Sequence, residues 1–97
     1  MKVFTLPMSY DRADELFSVK GWPQWSCGAE SFDWSYPSSN EVCYILEGEA
    51  EIITDEGSFT IAKGMLVEFP CGLACTWDVK EPIKKHYSFG FDISSVK

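Results

Sequence analysis

Basic residues are scarce in this sequence: 8 Lys and Arg stand against 15 Asp and Glu, for a formal net charge of −7. That balance excludes nucleic acid as an expected partner, because phosphate binding needs clustered Lys and Arg. The densest basic cluster is Lys80, Lys84 and Lys85, interleaved with Glu81, and it reads as a solvated turn. Long apolar runs are also missing. No stretch approaches the roughly 18 residues of a membrane span, so no membrane partner is expected. The N-terminal stretch carries Asp11, Asp14 and Glu15 and has neither the apolar run of a signal peptide nor the Arg/Ser bias of a transit peptide. Cys27, Cys43, Cys71 and Cys75 contain no CxxC pair. With no signal and an ample apolar core, the expectation is free thiols in a reducing, cytoplasmic compartment. Repeats, linkers and low-complexity segments are absent too, which leaves one domain over residues 1–97.

What the chain does have is large side chains. Apolar residues make up 45% and aromatics 15%, with four Trp and seven Phe, enough to fill one small core. Val3 to Leu6 reads as a short first strand stopped at Pro7. A brief helix is expected over 11–19, capped by Asp11, with Ala13, Leu16 and Phe17 on one face and Gly21 at its end. Trp22-Pro23-Gln24-Trp25 reads as a turn whose two rings plug one end of the core.

From Phe32 onward the period is two. Phe32, Trp34 and Tyr36 alternate with Ser31, Asp33 and Ser35, as in a half-buried strand. Glu41 to Glu47 is a nearly continuous apolar strand, and Gly48 reads as a tight bend into Glu49 to Thr54. Further strands are expected at Ser58 to Ile61, Met65 to Phe69, Leu73 to Lys80 and Ile83 to Phe91, with Glu81-Pro82 breaking the last two apart. Short strands separated by Gly and Pro turns mean an antiparallel sandwich or barrel.

Two segments carry a resemblance. Glu41-Val-Cys-Tyr-Ile-Leu-Glu-Gly48-Glu-Ala-Glu-Ile52 resembles the first cupin motif, and Gly64, Pro70, Gly72 and Cys75 repeat the spacing of the second. The resemblance covers about residues 20–90, with the motif core over 30–90. Within the cupins the chain is similar to the small one-domain proteins grouped with ureidoglycine aminohydrolase. It shares the segments Trp22-Pro23-x-Trp25, Phe32-Asp33-Trp34, Phe69-Pro70-x-Gly72-Leu73 and Lys85-His86-Tyr87 with them. The implied fold is all-β: an RmlC-like antiparallel barrel, or jelly roll, with one short N-terminal helix. Cupins commonly pair through their sheets, so the resemblance also implies a homodimer.

The family's metal ligands are two histidines as HxH, a glutamate and a later histidine, a set suited to Mn, Fe, Ni or Zn. Carried onto this sequence, the histidine positions fall on Trp34, Tyr36 and Cys75, and only Glu41 is retained. No metal is therefore expected.

If Glu41 faces the barrel interior as its family counterpart does, strand parity places Cys43 and Ile45 inside as well. Cys75 then shares a face with Leu73, Trp77 and Val79, and Lys85 with Ile83, Tyr87, Phe89 and Phe91, leaving His86 outward as an exposed or interface residue. A carboxylate inside a barrel needs a partner, and Lys85, Tyr36 and Tyr87 are the candidates. Two readings stay open for it. In one, Glu41 is a base or anchor and Lys85 an anion holder in a polar pocket; in the other, the two form a structural ion pair near the barrel mouth. Cys75 is a nucleophile candidate, or a cysteine packed as a small hydrophobe. Trp34, Tyr36, Trp77 and Tyr87 are the residues expected to line a pocket for a small polar molecule. Three functions compete: a metal-independent enzyme or binding protein for such a molecule, a metal-dependent hydrolase resembling ureidoglycine aminohydrolase, and a non-catalytic dimeric scaffold.

Overall fold

The alternation of apolar and polar side chains is realised as one antiparallel seven-stranded sheet that curls on itself, in the computed structural model of residues 1–97. Its strands are β1 (Phe4–Pro7), β2 (Gln24–Cys27), β3 (Ser31–Ser35), β4 (Glu41–Thr54), β5 (Gly57–Ala62), β6 (Met65–Phe69) and β7 (Ala74–Phe89). The hydrogen-bonded order runs β1-β6-β4-β7-β2, with β3 also on β7 and β5 also on β4. This is the expected all-β jelly roll with a short helix. No helix is long and apolar enough to cross a membrane.

β4 and β7 are longer than the turn signals imply. Gly48 does not divide β4, and Glu81-Pro82 does not break β7. The two irregularities face each other: the β4–β7 register shifts between Ile45 and Ala50, and Pro82 has no partner across the gap. A β-bulge tolerates a residue with no N–H to give, so proline survives inside the strand. Gly48 has φ +92°, and a Cβ built on it would stand 2.0 Å from the Pro82 carbonyl oxygen. Glycine is required there by both conformation and space.

Period-two patterning on β4 and β7 feeds two cores. Cys43, Ile45, Ala50 and Ile52 point into the barrel with Trp77, Val79 and Ile83. Val42 and Tyr44 point the other way, into a second cluster with Ala13, Phe17, Val19, Leu66 and Ile93. Burial on both faces explains the continuous apolar run from Val42 to Leu46. The second cluster is roofed by α1 (Tyr10–Phe17), which starts earlier than expected. Its cap is Ser9, whose side chain accepts from the Arg12 N–H at 3.1 Å. Asp11 lies in the first turn and pairs with Lys20. The helix ends at Ser18 in the left-handed region, ahead of Gly21.

Several expectations about exposure are overturned by this second core. His86 is on the outer face as parity requires, yet it is 1% exposed because α1 covers that face. The lysine cluster is not a turn: Lys80, Lys84 and Lys85 all belong to β7, and Lys85 is 5% exposed. Gly90, at φ +71°, turns the chain after Phe89, and Phe91 crosses to the second cluster against Phe17 and Trp22. Trp22 and Trp25 do not plug one end together. Trp22 joins the roof, whereas Trp25 lies on β2 with the barrel interior.

Candidate functional site

One end of the barrel stays open, as a cavity of about 210 Å³. Glu41 enters from the first residue of β4, and Lys85 from β7, where it pairs across the sheet with both Ile45 and Trp25. Around them stand Trp25 of β2, Phe32 and Trp34 of β3, Tyr36 just beyond it, and Trp77, Tyr87 and Phe89 of β7. The outermost rings are the most exposed: Trp34 and Phe89 are each 52% accessible. Phe32 stacks on Trp77 with centroids 5.9 Å apart, and Trp25 meets both edge-on.

The polar groups are tied together. Lys85 Nζ donates to Glu41 Oε2 at 2.9 Å and to Cys43 Sγ at 3.4 Å. Tyr36 donates its hydroxyl to Glu41 Oε1 at 2.7 Å. Lys85 Nζ also lies 4.6 Å from the Trp77 ring centroid and 5.0 Å from that of Trp25, a cation–π arrangement on two indoles. Burial works against the ammonium charge, but the Glu41 carboxylate beside it and the hydrogen bonds to Glu41 and Cys43 favour it, and the Lys85 pKa is raised. Burial also pushes the Tyr36 phenol up, and the Glu41 carboxylate adds to the effect. Lys85 is thus a cationic donor, and Tyr36 a neutral one.

The structure brings Glu41, Lys85, Trp34, Tyr36, Trp77 and Tyr87 to one cavity. It does not bring Cys75 there. Cys75 is buried in the core beside Trp77, and its side chain is not part of the cavity wall. Burial, followed by the Glu41 charge, pushes its thiol up to about 11, so it has little thiolate to act as a nucleophile. Cys43 is the thiol nearest Lys85, and burial holds it protonated as well. All four cysteines are free. Trp25, Phe32 and Phe89 complete the wall beyond the residues first expected. Trp25 had a readable signal: Trp25 and Cys27 share parity, as Lys85 and Ile83 do opposite them.

The donor set does not fit a transition metal. The three histidine-equivalent positions carry an indole, a phenol and a buried thiol, and no cluster of three or more His, Cys, Asp or Glu exists. The one retained carboxylate holds an ammonium at 2.9 Å, and that charge repels a dication.

The model of the EutQ-like cupin domain matches residues 15–87. The chain belongs to the EutQ-like cupin family. Among solved structures, this EutQ-like cupin is similar to a DUF861 family protein from Thermotoga maritima, with 45% identity and a TM-score of 0.83 over 91% of this chain and 99% of that one. It also shares its fold with the Clostridium difficile EutQ protein at 22% identity and a TM-score of 0.63, covering 69% of this chain and 52% of that one. A similar match joins it to a putative ethanolamine utilization protein Q from Salmonella typhimurium LT2, at 16% identity and a TM-score of 0.63, over 69% and 54% of the two chains. The chain thus spans about half the length of these two EutQ proteins. No curated protein matches the sequence.

Proposed function

We propose that this cupin binds or converts a small polar molecule in the barrel, with the Lys85 ammonium as the fixed positive charge at the site in place of a metal. The observation that carries the reading is the Lys85–Glu41 pair, both side chains about 95% buried, lying against a cavity walled by aromatic rings. A buried ion pair adds little stability compared with an apolar core, and at a cavity wall it has a recognition role to account for it. Lys85 donates to Glu41 and Cys43 and still has an N–H without a protein acceptor. Glu41 orients it and is itself oriented by Tyr36. The roles first assigned to Glu41 and Lys85 as catalytic groups, and to Trp34, Tyr36, Trp77 and Tyr87 as substrate contacts, are retained in this proposal.

The likeness to the ureidoglycine aminohydrolase group is retained as a proposal of kinship, supported by segments such as Phe69-Pro70-x-Gly72-Leu73. Location in a reducing, cytoplasmic compartment is supported by four free thiols. A homodimer is supported by the exposed apolar side chains Trp25, Trp34, Ile53 and Phe89. A single mass equal to one chain in light scattering sinks the dimer.

The test of function is ligand-observed NMR on metal-free protein, with a mixture of small polar metabolites and the Trp34→Ala variant as the mouth control. Binding that survives chelation and weakens in Trp34→Ala supports the proposal. Binding that requires Mn, Fe, Ni or Zn hands the site to the hydrolase reading. No binding in any mixture, together with a stable dimer, leaves the scaffold reading.

A further inference from the structure

The cavity carries two full charges of opposite sign that already satisfy each other, and this restricts what a ligand can bring. Two of the three Lys85 N–H donors go to Glu41 and Cys43; the third has no protein hydrogen-bond acceptor, on a side chain that lines the cavity. Each Glu41 oxygen accepts one hydrogen bond, and a carboxylate has roughly four lone-pair sites, so acceptor capacity remains beside that free donor.

A cationic ligand meets competition at once. The Lys85 ammonium already lies over the Trp77 and Trp25 rings, where a ligand cation would gain most. An anionic ligand meets Glu41 at the same depth, with Lys85 already neutralised, and a chain whose net charge of −7 repels it on approach. A third charge in this cavity would stay uncompensated in either case, and a buried unpaired charge is the costliest polar group to create. A neutral ligand avoids both conflicts. Five further rings, Phe32, Trp34, Tyr36, Tyr87 and Phe89, favour a flat body of one or two rings in a cavity of this size.

Resting on the reading of this cavity as a ligand site, we infer that its ligand class is a neutral planar molecule with adjacent acceptor and donor, such as a primary amide or a lactam. Its carbonyl oxygen accepts from the free Lys85 N–H, its N–H donates to Glu41, and its ring lies among the aromatic walls.

Benzamide, benzoate and benzamidine share one ring and differ in charge, so they separate the possibilities. Each is titrated into the wild-type protein, with binding followed by calorimetry and tryptophan fluorescence. Benzamide is expected to bind at least about tenfold tighter than either ion. The double variant Glu41→Gln/Lys85→Met removes both charges and strands neither, and it is expected to bind benzamide about tenfold more weakly. Should that variant fail to fold, the Lys85 ammonium resonance of the wild-type protein is the second readout, and it is expected to shift on adding benzamide. Tighter binding of benzoate or benzamidine overturns the neutral-ligand inference and leaves a ligand site in place. Benzamide binding that is undiminished in the double variant, or that leaves the Lys85 resonance unmoved, overturns the contact with Lys85. No binding of any of the three overturns both this inference and the reading beneath it.

Discussion

Lys85 and His86 are neighbours in the chain, equally buried, and opposite in what they have left to offer. Lys85 points into the barrel, His86 into the cluster under α1. His86 uses both ring nitrogens: Nδ1 donates to the Trp22 carbonyl at 2.9 Å, which leaves Nε2 of the neutral ring to accept from the Tyr10 hydroxyl at 2.7 Å. Its ring is also stacked on Tyr10, which stacks in turn on Tyr44. Nothing is left for a ligand, and His86 acts as a clamp that holds the helix on the sheet. Lys85 keeps a free donor at a cavity. Burial alone does not separate a structural polar group from a recognising one; the count of unused hydrogen-bonding positions does.

The sharpest way to break the comparison is to remove one charge on the inner side. Lys85→Met strands the Glu41 carboxylate and is expected to cost roughly 3–5 kcal/mol, with the double variant Glu41→Gln/Lys85→Met costing clearly less. Urea unfolding of the three variants measures it, and additive effects contradict the pairing. The pH dependence has a definite sign. The folded-state pKa of Lys85 is raised above its ordinary 10.5, so its contribution is complete below that value and is lost as pH rises through the folded pKa. Wild-type stability is therefore expected to fall in that alkaline window more steeply than that of Lys85→Met.

The joint between the two sides comes next. Gly48→Ala drives a methyl group into the Pro82 carbonyl and is expected to cost at least about 2–3 kcal/mol. Gly64→Ala has φ +87° and open space around it, so it reports the backbone conformation alone and should cost about 1–2 kcal/mol. Equal effects in thermal unfolding refute the crossing as the reason for Gly48. On the outer side, Tyr10→Phe leaves His86 Nε2 without a partner and is expected to cost about 1–3 kcal/mol, with no change in ligand binding. Loss of binding in that variant ends the division of labour between Lys85 and His86. The smallest effect is expected from Ser9→Ala, about 1 kcal/mol for a lost helix cap, read from the helical circular dichroism signal and the midpoint together.

Much of this is legible in the sequence. Period two in Phe32-Asp33-Trp34 places the barrel strands, and strand parity, joined to the cupin resemblance that turns Glu41 inward, places most of the cavity wall. What was hidden shares one cause, because each hidden feature depends on which element packs against which strand. Parity put His86 on the outer face correctly, but nothing local says that α1 covers that face. Glu81-Pro82 looked like a break because the compensating irregularity, Gly48, lies on a different strand. Asp11 is the cap the sequence suggests, whereas Ser9 caps the helix and Asp11 falls in its first turn. Cys75 is a fair candidate on spacing, yet its side chain packs in the core and is absent from the wall of the Lys85–Glu41 cavity.

The long β4–β7 pairing has a consequence for the order of events in folding. Its partners nearest in sequence are Ile53 and Thr76, and its partners farthest apart are Glu41 and Phe89. Closing the shorter loop first loses less chain entropy, so the ladder zips from Ile53 toward Glu41. The Lys85–Glu41 side of the cavity is then expected to assemble after the rate-limiting step. Replacing Lys85 should accordingly quicken unfolding and leave the refolding rate nearly unchanged, while replacing Ile52 or Val79 slows refolding. The same ordering is expected to make the Lys85–Glu41 side of the cavity open early, so a bound molecule should retard the escape from the native state more than it hastens arrival there.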